Sequence, residues 1–266
     1  MCTLTLAWQA FEDAPVALVA TRDESYDRPS DPPAVRGDGR YLAPRDRTAG
    51  GTWIGLGESG TVVAIANRWL DTDRDGDRSR GHLVADCLRR PTAEAAVQFV
   101  EQDVDERAYD GFTLLVADDV AAFQLTYDGS IAVTPLAPGV HVVGNVGSVC
   151  NGRAVFSIPE TRTEAGTRRA DSARRIAATV APKAGASSAS WLDRATAVLA
   201  DHDFGACLHG DRFGTRSLTR LRTGPDPTMG FADGPPCSTP VDPVEVPASF
   251  GEDGPGDVED VPAESS

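Results

Sequence analysis

MCTLTLAWQAFEDAPVALVATRDES, residues 1–25, is the stretch whose reading decides the fold. Residues 3–8 and 15–21 are two runs of β-forming side chains, separated by a short turn at 12–14, and they predict an amino-terminal β-hairpin. Cys2 opens the first strand, and the second runs out into three adjacent charges, Arg22-Asp23-Glu24. A second pair of strands is expected at 51–56 and 61–67, with 57–60 as the hairpin loop. Beyond the charged loop at 71–80 the period becomes helical. Leu83, Val84, Cys87 and Leu88 share one face, and Pro91-Thr92 restarts a helix carrying Ala95, Ala96, Phe99 and Val100.

Strand patterns return at 111–117, 121–126 and 140–144. Two helices are expected between 163 and 200, the second opened by a capping box of Ser190 and Asp193. Strands at 217–222 and 229–232 follow. Strands, two helices, strands, two helices, strands, joined by hairpins, predict an α+β layered sandwich and not a doubly wound parallel sheet. The folded domain is expected over 1–240. Pro, Gly, Asp and Glu dominate from about 235, so 241–266 reads as a disordered acidic tail.

Hydrophobic residues make up 41% and charged residues 24% of the 266, which excludes collagenous, coiled-coil and wholly disordered chains. The 25 basic and 40 acidic residues leave a net charge of −15. Such a surface repels phosphate backbones and anionic lipid, so neither nucleic acid nor a membrane is expected as partner. Lys183 is the only lysine, and an acidic, lysine-poor chain reads as adaptation to concentrated salt. No basic leader and no apolar run of membrane-spanning length is visible, so a cytoplasmic location is expected.

Cys2, Cys87, Cys150, Cys207 and Cys237 are scattered without a CxxC pair, which points to free thiols in a reducing compartment and away from a zinc site. His82, His141, His202 and His209 likewise lack ligand spacing, so no metal is expected. The series Asp71-x-Asp73-x-Asp75-Gly76 matches half an EF-hand loop. It has His82 where the bidentate Glu belongs and reads as a charged loop. There is no GxGxxG or Walker A stretch, and no cofactor is expected.

Removal of Met1 would leave Cys2 with a free α-amine of pKa about 7.7–8.0, a nucleophile with its own general base. The residues alone leave a second reading open, a small buried hydrophobe. Arg22 can orient a carbonyl or carboxylate and Asp23 can hold a protonated amine, or the triplet is a solvated turn. Gly144-Asn145 and Gly214-Thr215-Arg216-Ser217 can supply an oxyanion donor and a cation, or are ordinary turns. Ser79-Arg80-Gly81-His82 reads as a helix cap.

Taken in order, MC-x-L, RDE-x-Y-x-RP, RD-x-x-x-GGTW-x-G, AN-R, SRGHLV, DGFTLLV, PGVHVVGN and FGTRS resemble the NRDE family, also called the transport and Golgi organisation family. The resemblance runs from Met1 to about Pro240. It departs at Thr21, where the family's name-giving tetrapeptide begins with Asn. It implies a four-layer αββα sandwich of N-terminal nucleophile hydrolase type. By analogy with the cysteine branch of that superfamily, Cys2 is nucleophile and base, and Arg22 and Asp23 position it. Asn145 donates to the oxyanion, Arg216 supports the site, and Glu24, Trp53, Asn67 and Arg80 contact substrate. The implied activity is hydrolysis of a small linear amide or acyl compound. The alternative is a non-enzymatic carrier of haem or an acyl lipid.

Overall fold

The computed structural model describes residues 2–72, 74 and 76–250. Among them run β1 (Cys2–Phe11), β2 (Ala14–Ser25), β3 (Ser30–Arg36), β4 (Tyr41–Asp46), β5 (Ile54–Gly57) and β6 (Val62–Asn67). Helices α1 (Arg80–Cys87) and α2 (Ala93–Glu106) follow, then β7 (Phe112–Ala117), β8 (Ala122–Tyr127), β9 (Ile131–Pro135), β10 (Gly139–Gly144), β11 (Gly147–Cys150) and β12 (Arg153–Phe156). The described chain ends with α3 (Thr163–Val180), α4 (Ser188–Ala200), β13 (Phe213–Arg222), β14 (Thr228–Ala232) and β15 (Asp242–Val244).

Every pairing is antiparallel. One sheet has the order β12-β11-β10-β1-β2-β13-β14-β15, and the other β3-β4-β5-β6-β7-β8-β9. The sheets face each other through β1, β6 and β10; α3 and α4 cover the first, α1 and α2 the second. This is the αββα sandwich, and the amino-terminal hairpin lies at the middle of its first sheet.

Strand periodicity sorts the hairpin's side chains onto two faces. Cys2, Leu4, Leu6 and Trp8 of β1, with Val16, Leu18 and Ala20 of β2, join the core between the sheets. Ala7, Phe11, Ala17 and Val19 join the core beneath α3 and α4. Both faces are covered, so the strands read as near-continuous apolar runs.

The structure moves several boundaries. β1 continues past Trp8 through a bulge, with Gln9 at φ 45°. The charges at 22–24 extend β2 and do not end it, because β13 pairs with Arg22, Asp23 and Glu24. The capping box is displaced by one turn. Ser187 caps α4 by accepting from the Ser190 N–H, and Asp13 receives the N–H and O–H of Ser188. Asp193 instead pairs with Arg220 at 2.7 Å. Asp242–Val244, assigned by the sequence to the tail, pairs with β14, and Phe250 is buried. Asp73, Asp75 and residues 251–266 lie outside the described residues. Asp71 of the EF-hand-like series accepts the Glu160 N–H at 2.6 Å.

Candidate active site

Cys2 and Arg22 are direct cross-strand partners on the face between the sheets, since the register pairs them and both follow the parity of the apolar core. Cys2 is buried at 7% exposure and Arg22 at 4%. The Arg22 guanidinium lies 4.4 Å from the Trp53 ring centroid, and its Nη2 donates to Asp46 Oδ2 at 3.0 Å. A cation stacked on indole and tied to a carboxylate is rigid. Burial pushes the Cys2 thiol above its ordinary value; the Asp23 carboxylate reinforces that, and the Arg22 charge and the Asp23 N–H oppose it.

Asp46 is a hub that the sequence reading did not single out. Its Oδ2 also accepts from Arg28 Nε at 2.7 Å, and its Oδ1 accepts the Thr48 and Ala49 N–H groups, each at 2.9 Å. Burial raises its pKa, but the Ala49 N–H, Arg28 and Arg22 outweigh it and hold the carboxyl below 3.8.

Asp23 has the opposite parity from Arg22 and turns toward the helix layer. It accepts from the Thr215 hydroxyl at 2.6 Å and from Arg169 Nη2 of α3 at 3.4 Å. At 1% exposure, burial raises its pKa against the pull of Arg169. Thr21, where the family has Asn, uses its hydroxyl oxygen to accept the Thr3 N–H at 3.4 Å across the hairpin.

Cys2, Arg22, Asp23, Glu24, Trp53, Asn67 and Arg80 line one cleft of about 100 Å³, joined by Arg28, Asp46 and the Gly51 and Gly81 backbones. Seven of the nine anticipated residues therefore meet. Glu24 faces Arg28 at 3.6 Å. Arg80, the first residue of α1, donates to the Gly111 carbonyl at 2.8 Å and faces Asp110 at 3.6 Å. A neighbouring groove of about 430 Å³ shares Glu24, Asn67 and Arg80 and adds Arg68, Trp69 and Phe213.

The other two lie elsewhere. Asn145 is fully buried behind Asn67, its side-chain Nδ2 donating to the Asn67 backbone carbonyl at 2.8 Å, while its backbone carbonyl accepts the Trp69 N–H at 2.8 Å. Arg216 sits where the β13–β2 register shifts and is not among the residues that line the cleft. It donates to the carbonyls of Ser25 and Tyr26 at 3.1 and 2.6 Å. Of the residues missed, Asp46, Arg28 and Thr215 fall inside the quoted motifs. Arg169 carries no local signal, being one Arg among many on a charged helix.

The histidines and cysteines also need revision. His141 faces Cys150 across β10 and β11 and bonds the Ala137 carbonyl through Nε2 at 3.0 Å, and neither it nor His82 joins a metal-ligating group among the described residues. His202, Cys207, His209 and Cys237, unrelated by spacing, are brought together with their ligand atoms within 4.8 Å of one another. The fold supplies the proximity that the sequence separation concealed.

Comparison with known proteins bears on the family and the fold. A family profile described as Transport and Golgi organisation 2 matches residues 1–178. The mouse Transport and Golgi organization 2 homolog is 26% identical over 164 residues, covering 56% of this chain and 59% of that protein. The bovine homolog is 27% identical over 155 residues, covering 52% and 55%. The chain thus spans little more than half the length of these relatives. Among solved structures, a Caenorhabditis elegans N-acylethanolamine-hydrolyzing acid amidase ortholog superposes with TM-score 0.53 at 13% identity, covering 83% of this chain and 92% of that one. A mutant conjugated bile acid hydrolase from Clostridium perfringens superposes with TM-score 0.52 at 8% identity, covering 93% and 98%. The fold is that of the N-terminal nucleophile hydrolases. With two thirds of its length matched by one profile and five of the eight quoted motifs lining one cleft, the chain belongs to the Transport and Golgi organisation 2 family.

Proposed function

We propose that this protein is a cysteine-type N-terminal nucleophile amidohydrolase acting on a small linear amide or related acyl compound. The observation that carries the reading is the cross-strand pairing of Cys2 with a rigidly held Arg22 at the wall of a small polar cleft. Two solved proteins with this fold are named for hydrolysis of N-acylethanolamines and of conjugated bile acids, which sets the reaction class to test.

Burial keeps the Cys2 thiol protonated, so attack requires a base. Cleavage of the bond before Cys2 frees an α-amine beside the sulfur. The amine takes the thiol proton as Sγ bonds the substrate carbonyl carbon, and the carbonyl π pair moves to oxygen. Collapse expels the amine leaving group, which takes the proton back, and leaves an S-acyl enzyme. Water, deprotonated by the α-amine, then attacks the thioester, releasing the acid and restoring the thiol. Asn67 lines the cleft and is the side-chain donor for the oxyanion; Asn145, its own amide engaged, positions the end of β6. Arg22 stabilises developing negative charge. Asp23, held by Thr215 and Arg169, anchors the strand beside the nucleophile.

A cleft of about 100 Å³ suits a short acyl group. Pockets for drug-sized ligands run to roughly 300–1,000 Å³, and the adjoining groove of about 430 Å³, which shares Glu24, Asn67 and Arg80, gives room for a longer substrate. The test is intact-mass analysis of the purified full chain after exposure to an electrophilic acyl probe. Loss of Met1 and a single acyl adduct on Cys2, absent in Cys2→Ala, is expected. Retention of Met1, or equal labelling of Cys2→Ala, would overturn the reading. Amine release from N-acyl amides of increasing chain length then defines the substrate.

A further inference from the structure

Behind the cleft, the loop after α4 and the turn after β14 bring two thiols and two imidazoles to one point. His202 sits in a short 3-10 turn (His202–Phe204) that Gly205 closes in the left-handed conformation at φ 71°. Cys207, at a bend, and His209 follow at a spacing of two, and the backbone of His209 bridges to Gly214 at the start of β13. Cys237 lies in a turn whose Ser238 and Thr239 N–H groups both return to the Pro235 carbonyl. His209 Nε2 is 3.5 Å from Cys207 Sγ and 3.2 Å from Cys237 Sγ, and the two imidazole centroids are 5.0 Å apart. All four ligand atoms lie within 4.8 Å of one another.

We propose that His202, Cys207, His209 and Cys237 form a structural zinc site. The distances fit. Zinc–sulfur bonds of about 2.3 Å and zinc–nitrogen bonds of about 2.05 Å at tetrahedral angles place sulfur and nitrogen roughly 3.5 Å apart. The donor set fits as well, since two thiolates with two imidazoles at tetrahedral spacing select zinc over hard cations. Four protein ligands leave no open position for water, so the site is a staple and not a second catalytic centre.

What it fastens gives the site its role. The Leu208 N–H donates to the Thr215 hydroxyl oxygen at 2.8 Å, and that hydroxyl donates to Asp23 at 2.6 Å. The Gly205 carbonyl accepts from Arg169 Nη1 at 3.2 Å, and the same guanidinium reaches Asp23. The 202–209 loop therefore backs Thr215 and Arg169, two residues that hold the buried Asp23. Zinc closes that loop onto the turn at 235–239, joining the carboxyl-terminal segment to the rear of the cleft.

The site is tested on the full chain, purified without a histidine tag and dialysed exhaustively. Elemental analysis is expected to give a single equivalent of zinc, falling at least about tenfold in Cys237→Ser and in His209→Ala. Replacement by cobalt is expected to show a thiolate-to-cobalt charge-transfer band and the intense visible bands of a tetrahedral ion. This reading on the unsubstituted protein stands even if a variant misfolds. A chelator is expected to lower the melting temperature of the parent chain. Negligible zinc with both thiols open to alkylation, an octahedral cobalt spectrum, or a Cys207–Cys237 disulfide in the mass spectrum would overturn the proposal. Because none of these readings uses Cys2 or a substrate, the zinc site and the hydrolase reading fail separately.

Discussion

Arg22 and Asp23 are adjacent in sequence and end on opposite faces of β2, each buried and each held by partners from distant segments. A strand's alternation separates them: one guanidinium enters the cleft, one carboxylate faces α3. Asp46 is the residue on which Arg22 depends, and Asp46→Asn leaves a buried guanidinium without its counter-charge. A loss of about 3–5 kcal/mol in urea unfolding at neutral pH is expected. The pH dependence has a definite sign. The folded-state pKa of Asp46 lies below 3.8, so its stabilisation is complete above 3.8 and is lost as pH falls through the folded-state value. The stability difference between parent and Asp46→Asn should shrink below that point. A difference that stays constant down to acid would show that the Asp46 charge is immaterial. The Asp–Arg pairing was invisible in the residue pattern, although Asp46 stood inside the RD-x-x-x-GGTW motif.

At the scale of elements, the cleft is a junction between the turn before β5 and the start of α1. Thr52 donates its N–H to the Gly81 carbonyl at 3.0 Å, and a Cβ on Gly51 would stand 2.2 Å from the Gly81 carbonyl carbon. Two glycines let backbone touch backbone, which places Trp53 under Arg22 and Arg80 at the rim. Gly51→Ala is expected to cost about 1–3 kcal/mol and to weaken acyl labelling of Cys2, because the turn must withdraw from α1. Gly144→Ala is the control, since a Cβ there meets nothing within 4 Å. Equal stability of the two variants by urea unfolding would show that this contact does not shape the cleft. The elements flanking it were largely legible. Apolar runs in β1, β2, β6 and β7 and the helical faces of α1 and α2 carry their periods locally. The exposed β3, with two prolines, and the short β11, β12 and β15 carry no such run.

Across the whole molecule, 40 acidic against 25 basic residues impose a self-repulsion that the described ion pairs only partly relieve. The melting temperature is expected to rise between about 0.1 M and about 1 M salt, as the screening length falls from ~10 Å to ~3 Å. A midpoint that is flat or falling across that series would show that repulsion does not limit stability. No described helix is long and apolar enough to cross a membrane. By itself the sequence determined the amino-terminal hairpin, the strands with strong apolar runs, the four helices and the presence of Cys2 beside a charged stretch of strand. Those depend on local period and composition. Only the tertiary structure decided that Asp46 holds Arg22, that Arg169 and Thr215 hold Asp23, that Arg216 binds the Ser25 and Tyr26 carbonyls instead of lining the cleft, and that His202, Cys207, His209 and Cys237 converge. Each depends on which segments lie side by side once the sheets close, and no spacing along the chain encodes that.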